Sequence, residues 1–141
     1  MAHAGGCHCG NIRVSLRLST EPRATPVRAC ACSFCRAHGA RTVADPEGWL
    51  EVRAADWALV EPYGFGLRTA DFLVCRRCGV YVAAVCETPA GHRATVNVNA
   101  LDDRAEFDPN PAPVDYGAET REARTARRAA RWTPTRLHGR P

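Results

Sequence analysis

No lysine occurs among the 141 residues, so the basic charge is arginine alone, 19 residues against 15 Asp plus Glu. The net charge of +4 is too modest to imply nucleic acid by itself, and arginine's planar fork suits carboxylates as well as phosphates. No apolar run approaches the roughly 18 residues of a membrane-spanning helix. Met1 to Cys9 lacks both the basic start and the apolar stretch of an export signal. The expectation is a cytoplasmic chain with no membrane association. There is no internal repeat, and at 45% hydrophobic and 24% charged residues the composition excludes disordered and fibrous classes. The length suits one domain over 1–141, whose core is large enough to need no disulfide staples.

What stands out instead is eight cysteines. In a reducing compartment thiols stay reduced, and closely spaced pairs hold metal more often than they form disulfides. The surrounding sequence reads as mainly β. Ile12 to Leu18 alternates apolar and polar residues with the period of a half-buried strand, and Val27 to Cys32 resumes that pattern after the prolines Pro22 and Pro26. A turn is expected from Ser33 to Gly39. Thr42-Val43, Trp49 to Val52 and Leu59-Val60 are short β-prone pieces, and Phe72 to Val74 and Val80 to Val85 flank a tight Cys75–Gly79 turn. Thr95 to Val98 reads as the last strand.

From Asp108 the character changes. Pro109, Pro111 and Pro113 predict an extended, stiff connector, followed by a helix from Ala118 to Trp132 that Pro134 terminates. On it Arg121, Arg124, Arg128 and Arg131 share a basic stripe, while Ala123, Ala126 and Ala130 form a separate stripe suited to packing on the sheet. The domain thus divides into a β core, 1–107, and a connector, Arg-rich helix and tail, 108–141.

Cys7 and Cys9, two apart on an extended chain, leave on the same face, and Cys75 and Cys78 flank a turn that brings two thiolates to one tetrahedral zinc. Together they make a four-cysteine site. Cys30, Cys32 and Cys35 offer three more sulfurs with no obvious fourth cysteine. Spacing alone does not force this grouping: Cys7, Cys9, Cys30 and Cys32 can also share an ion, leaving Cys35, Cys75 and Cys78, and His38 or His8 can complete a three-cysteine set. Cys86, ending an apolar run, reads as a small buried hydrophobe outside both sites.

The motifs GGCHCGNIRV, CACSFCR followed by Gly39-Ala40, CRRCG and VNVNALD, in this order from Gly5 to Asp102, resemble the glutathione-dependent formaldehyde-activating enzyme family, which includes centromere protein V. The resemblance implies a zinc-containing β-tent of antiparallel sheets, to which the chain adds its C-terminal helix. It implies two zinc ions per chain: a structural one on Cys7, Cys9, Cys75 and Cys78, and a catalytic one with an open position on Cys30, Cys32 and Cys35. It implies a carbon–sulfur lyase-type activity on a thiol–aldehyde adduct, like that of an S-(hydroxymethyl)glutathione synthase, with glutathione and a small aldehyde as partners. Val80 and Asn99-Ala100 depart from the family's usual residues at those places.

Three thiolates leave zinc a weak Lewis acid, suited to activating a thiol rather than water, and the soft sulfur set argues against magnesium or calcium. Arg36, beside Cys35, Phe34 and His38 are the candidate substrate contacts; Arg41 lies just beyond the turn, and the Tyr63–Gly66 segment is a further candidate lining for a substrate cleft. Two other function classes stand against the enzyme: a non-catalytic zinc-stabilised module for a protein partner and, ranked last, nucleic-acid binding through the Arg-rich helix.

Overall fold

A computed structural model describes residues 2–141, and eleven strands joined in one mixed sheet make up most of it. Strands β1 (Ala2–Gly6), β2 (Ile12–Arg17), β3 (Arg28–Cys30), β4 (Thr42–Val43), β5 (Trp49–Ala54), β6 (Val60–Tyr63), β7 (Asp71–Cys75), β8 (Tyr81–Thr88), β9 (Gly91–Asn97), β10 (Ala112–Val114) and β11 (Thr133–His138) are accompanied by two α-helices, α1 (Ser33–His38) and α2 (Arg121–Arg131). The mainly β expectation therefore holds, with a helix near the C-terminus. No helix among the described residues is long and apolar enough to cross a membrane.

The alternating segment after the first cysteines becomes β2, with Ile12, Val14 and Leu16 buried and Arg13 and Arg17 exposed. It lies antiparallel between β1 and β5, pairing Val14 with Val52 and Leu16 with Leu50. β6, β7, β8 and β9 form an antiparallel meander. β8 is buried without a break from Tyr81 to Cys86 because both of its faces are covered. Val82, Ala83 and Val85 enter the main core with Ile12, Leu16, Leu50 and Phe107, whereas Tyr81, Ala84 and Cys86 enter a second cluster with Cys35, Ala70 and Trp132. That second cluster surrounds the three-cysteine motif.

Several local expectations are corrected. Ser33 to Gly39 is a short helix rather than a turn: the Cys32 sulfur caps it by accepting from Cys35 N–H at 3.4 Å, and Gly39 ends it in a left-handed conformation at φ 58°. Cysteine is not among the residues that signal an N-cap, and six residues are too few for a helical period to show. Thr95 to Val98 is not the last strand. The Pro-rich connector is extended as expected, and it also pairs in parallel with β3, Ala112 N–H donating to Val27 O and Ala31 N–H to Val114 O. Its place at a sheet edge tolerates Pro113.

Pro134 does not itself end α2, which stops at Arg131 with Trp132 as its cap; it lies in β11, whose first residues pair with β9 and whose later ones run parallel to β5. β11 thereby joins the two halves of the sheet. The helix also faces opposite to its expected orientation: Ala123, Ala126 and Ala130 are exposed, Arg128 is buried, and Arg124 and Arg127 are partly buried.

Candidate metal centres and the cavity beside them

The structure realises the first of the sequence groupings. Cys7, Cys9, Cys75 and Cys78 bring their sulfurs within 4.8 Å of one another, as do Cys30, Cys32 and Cys35, and neither His8 nor His38 joins a group. Cys86 is buried and belongs to neither.

Two knuckles build the four-cysteine centre. After β1, Cys7 N–H donates to Ile12 O at 2.9 Å, Gly10 N–H returns to Cys7 O, and Ile12 N–H points at the Cys7 sulfur at 3.1 Å. After β7, Gly79 N–H donates to Cys75 O at 2.8 Å, and Gly79 takes φ 80°, the left-handed step that turns Cys78 back beside Cys75. The Cys7–Cys9 and Cys9–Cys75 sulfur separations are 3.7 and 3.5 Å. A tetrahedron of sulfurs at the usual zinc–sulfur bond has edges of about 3.8 Å, so the spacing fits that ion. The thiols are tuned unequally. Burial pushes Cys7 up to about 11, whereas Cys78, against the opposing effect of burial, is held down at about 6 by the backbone N–H groups of Val80 and Cys9.

In the second centre Cys30 ends β3, Cys32 caps α1 and Cys35 lies in its first turn. A hydrogen bond with Cys35 holds Cys30 at about 5, and the same bond pushes Cys35 far above the ordinary thiol range, with burial adding to it. Three sulfurs this close therefore do not all ionise unaided, and a cation among them would let them do so. This soft, all-sulfur donor set fits zinc and supplies three of the four ligands it usually takes.

All three cysteines line a cavity of about 690 Å³. Phe65, Phe72, Ala84 and Trp132 give it apolar walls, and α2 with the Val114–Gly117 segment bounds it further. Among the described residues the lining holds five arginines, Arg28, Arg124, Arg127, Arg128 and Arg131, and one acidic residue, Asp115. Arg124 and Arg127 both pair with Glu119, and the Arg127 guanidinium lies 3.6 Å over the Tyr116 ring. Tyr81 Oη is buried in the cavity wall without a partner, and burial raises its pKa well above the ordinary phenol value, so it keeps its proton.

Of the candidate substrate contacts named from sequence, Phe34 and His38 stay together, their ring centroids 4.6 Å apart. Arg36 and His38 are exposed on α1. Phe34 is half-buried, its ring 5.6 Å from Phe65, 4.8 Å from Phe72 and 4.9 Å from Tyr81, all three of which line the cavity. Arg41 instead reaches Asn99 Oδ1 at 3.0 Å. Sequence reasoning missed Tyr81, which sits in an ordinary strand pattern. It also missed Arg128 as a cavity residue, because a helical stripe of arginine reads as a solvated face.

Comparison with known proteins adds two findings. The family model described as glutathione-dependent formaldehyde-activating enzyme matches residues 2–113. A crystal structure of a Rhodobacter sphaeroides protein is similar at 31% identity and a TM-score of 0.55, covering 78% of this chain and 97% of its own.

Proposed function

Because the chain belongs to the glutathione-dependent formaldehyde-activating enzyme family, we propose that it is a zinc-dependent carbon–sulfur lyase-type enzyme. Its reaction joins and parts a small thiol such as glutathione and a small aldehyde, as an S-(hydroxymethyl)glutathione synthase does. The observation that carries this reading is the convergence of Cys30, Cys32 and Cys35 on the wall of a cavity large enough for both reactants. In this reading Cys7, Cys9, Cys75 and Cys78 hold a structural zinc, and the trio holds a second. Zinc on the trio supplies a site at which an entering thiol gives up its proton.

The remaining work falls to the chain's own side chains. Phe65, Phe72 and Trp132 keep bulk water from the reactants. Tyr81 Oη, protonated and unpartnered beneath the cavity wall, adds no second negative charge beside the trio. The reaction forms one carbon–sulfur bond, moves the carbonyl π pair to oxygen and transfers one proton from sulfur to that oxygen, so it requires no oxidant or reductant. A reducing cytoplasm is the compartment in which these thiols stay available.

Uncatalysed addition of thiols to formaldehyde is appreciable, so the test is the exchange rate between free and hydroxymethylated glutathione, measured by NMR exchange spectroscopy with zinc quantified in parallel. The holoprotein is expected to carry two zinc ions and to accelerate exchange. Cys32→Ser is expected to lose one zinc and return exchange to the uncatalysed rate with its circular dichroism preserved. Uncatalysed exchange by the two-zinc protein overturns the proposal in favour of a metal-stabilised binding module.

A further inference from the structure

Arg128 is 7% exposed and has no acidic side chain against it, unlike Arg124 and Arg127 on the same helix. Its Nη1 donates to Thr69 Oγ1 at 2.8 Å, its guanidinium lies 4.6 Å over the Trp132 ring, and its Nε is buried without any partner. Leaving a charged donor buried and unpaired is costly, and folded proteins rarely leave such a group unsatisfied. Thr69, Trp132 and Arg128 all line the cavity that holds the cysteine trio. Thr69 and Trp132 fix the guanidinium, so little side-chain entropy is left to lose when a ligand arrives.

We propose that Arg128 is an anion subsite that selects a carboxylate-bearing thiol, its guanidinium donating to the carboxylate while the thiol reaches Cys30, Cys32 and Cys35. The subsite rests on the thiol–aldehyde reading for the other end of the ligand, but it is supplied by α2, which lies beyond the family match at residues 2–113. It therefore belongs to this chain's own C-terminal segment. A planar, delocalised guanidinium is matched to a carboxylate.

The test compares binding of 3-mercaptopropionate, its methyl ester, 2-mercaptoethanol and propionate to the zinc-loaded protein. Calorimetry gives affinities, and the NMR signals of Arg128 Nε–H and the Trp132 indole N–H report on the subsite independently of turnover. The acid is expected to bind at least tenfold more tightly than its ester, about 1.4 kcal/mol, and to shift both resonances. Arg128→Gln is expected to erase that tenfold preference while leaving 2-mercaptoethanol unaffected.

Equal affinities for acid and ester in the unmutated protein overturn the subsite without reference to any variant, and leave the thiol reading standing. Equal weakening of every thiol in Arg128→Gln also overturns it, making Arg128 a counter-charge to the cysteines. If instead no thiol is drawn to the metal but propionate still shifts the Arg128 signal in an Arg128-dependent way, the subsite survives and the thiol–aldehyde reading fails.

Discussion

Arg124, Arg127 and Arg128 are near neighbours on one helix, and their partners set them apart. Glu119 accepts from Arg127 at 2.8 and 3.0 Å and from Arg124 at 3.4 Å, and the Arg127 hydrogen bond, against the opposing effect of burial, holds its carboxyl below the ordinary value. A carboxyl whose folded pKa is depressed stabilises the fold in full above its unfolded value, about 4.3, and loses that contribution as pH falls through the folded value. Glu119→Gln is therefore expected to destabilise the protein at neutral pH by about 0.5 to 1 kcal/mol, as partly exposed ion pairs do. The gap in melting temperature between variant and parent should narrow as pH falls below about 4.3; acid release of any bound metal would affect both chains and largely cancel in the difference. A gap of constant size from pH 7 to 3.5 would show that the carboxylate charge contributes nothing.

Helix α2 is the element on which the cavity's charge depends. Thr120 caps it, its hydroxyl accepting from Ala123 N–H at 3.1 Å. Thr120→Ala is expected to cost about 1 kcal/mol and lower the melting temperature by about 3 °C. Because fraying there disturbs the residues that bound the cavity, affinity for 3-mercaptopropionate should fall with it; calorimetry showing unchanged affinity alongside the lowered melting temperature would uncouple cap and cavity. The helix itself was legible in the sequence, but its orientation was not. Periodicity finds a stripe of arginine without saying whether water or a cavity lies against it, and here Tyr116, Glu119 and Trp132 make the inner side habitable for guanidinium groups. Strands with one solvated face, such as β2, were read correctly for the converse reason, since burial alternates with every residue. β11 escaped notice: its proline and arginine mask the strand, and its role depends on β5 and β9, which are distant in sequence.

The two cysteine groups were legible as motifs because a metal-binding turn is a local feature, yet only the folded chain chooses among the groupings that spacing permits. The four-cysteine centre joins the turn between β1 and β2 to the turn between β7 and β8, while Cys30, Cys32 and Cys35 lie within six residues of each other. Closing a loop of about 70 residues restrains the unfolded chain far more than closing one of six, so metal binding at the first centre is coupled to folding and at the second scarcely at all. Graded chelation of the protein loaded with zinc at both centres is therefore expected in two steps. The first ion should leave the Cys30, Cys32 and Cys35 trio with little change in circular dichroism and with loss of glutathione exchange. The second should leave together with the β signal, and Cys75→Ser should unfold or strongly destabilise the chain where Cys32→Ser does not. Zinc release followed by a chromogenic chelator alongside circular dichroism resolves the order; unfolding that accompanies the first ion, or a folded chain after both have gone, would mean that the long-range centre is not what pins the two halves of the sheet together.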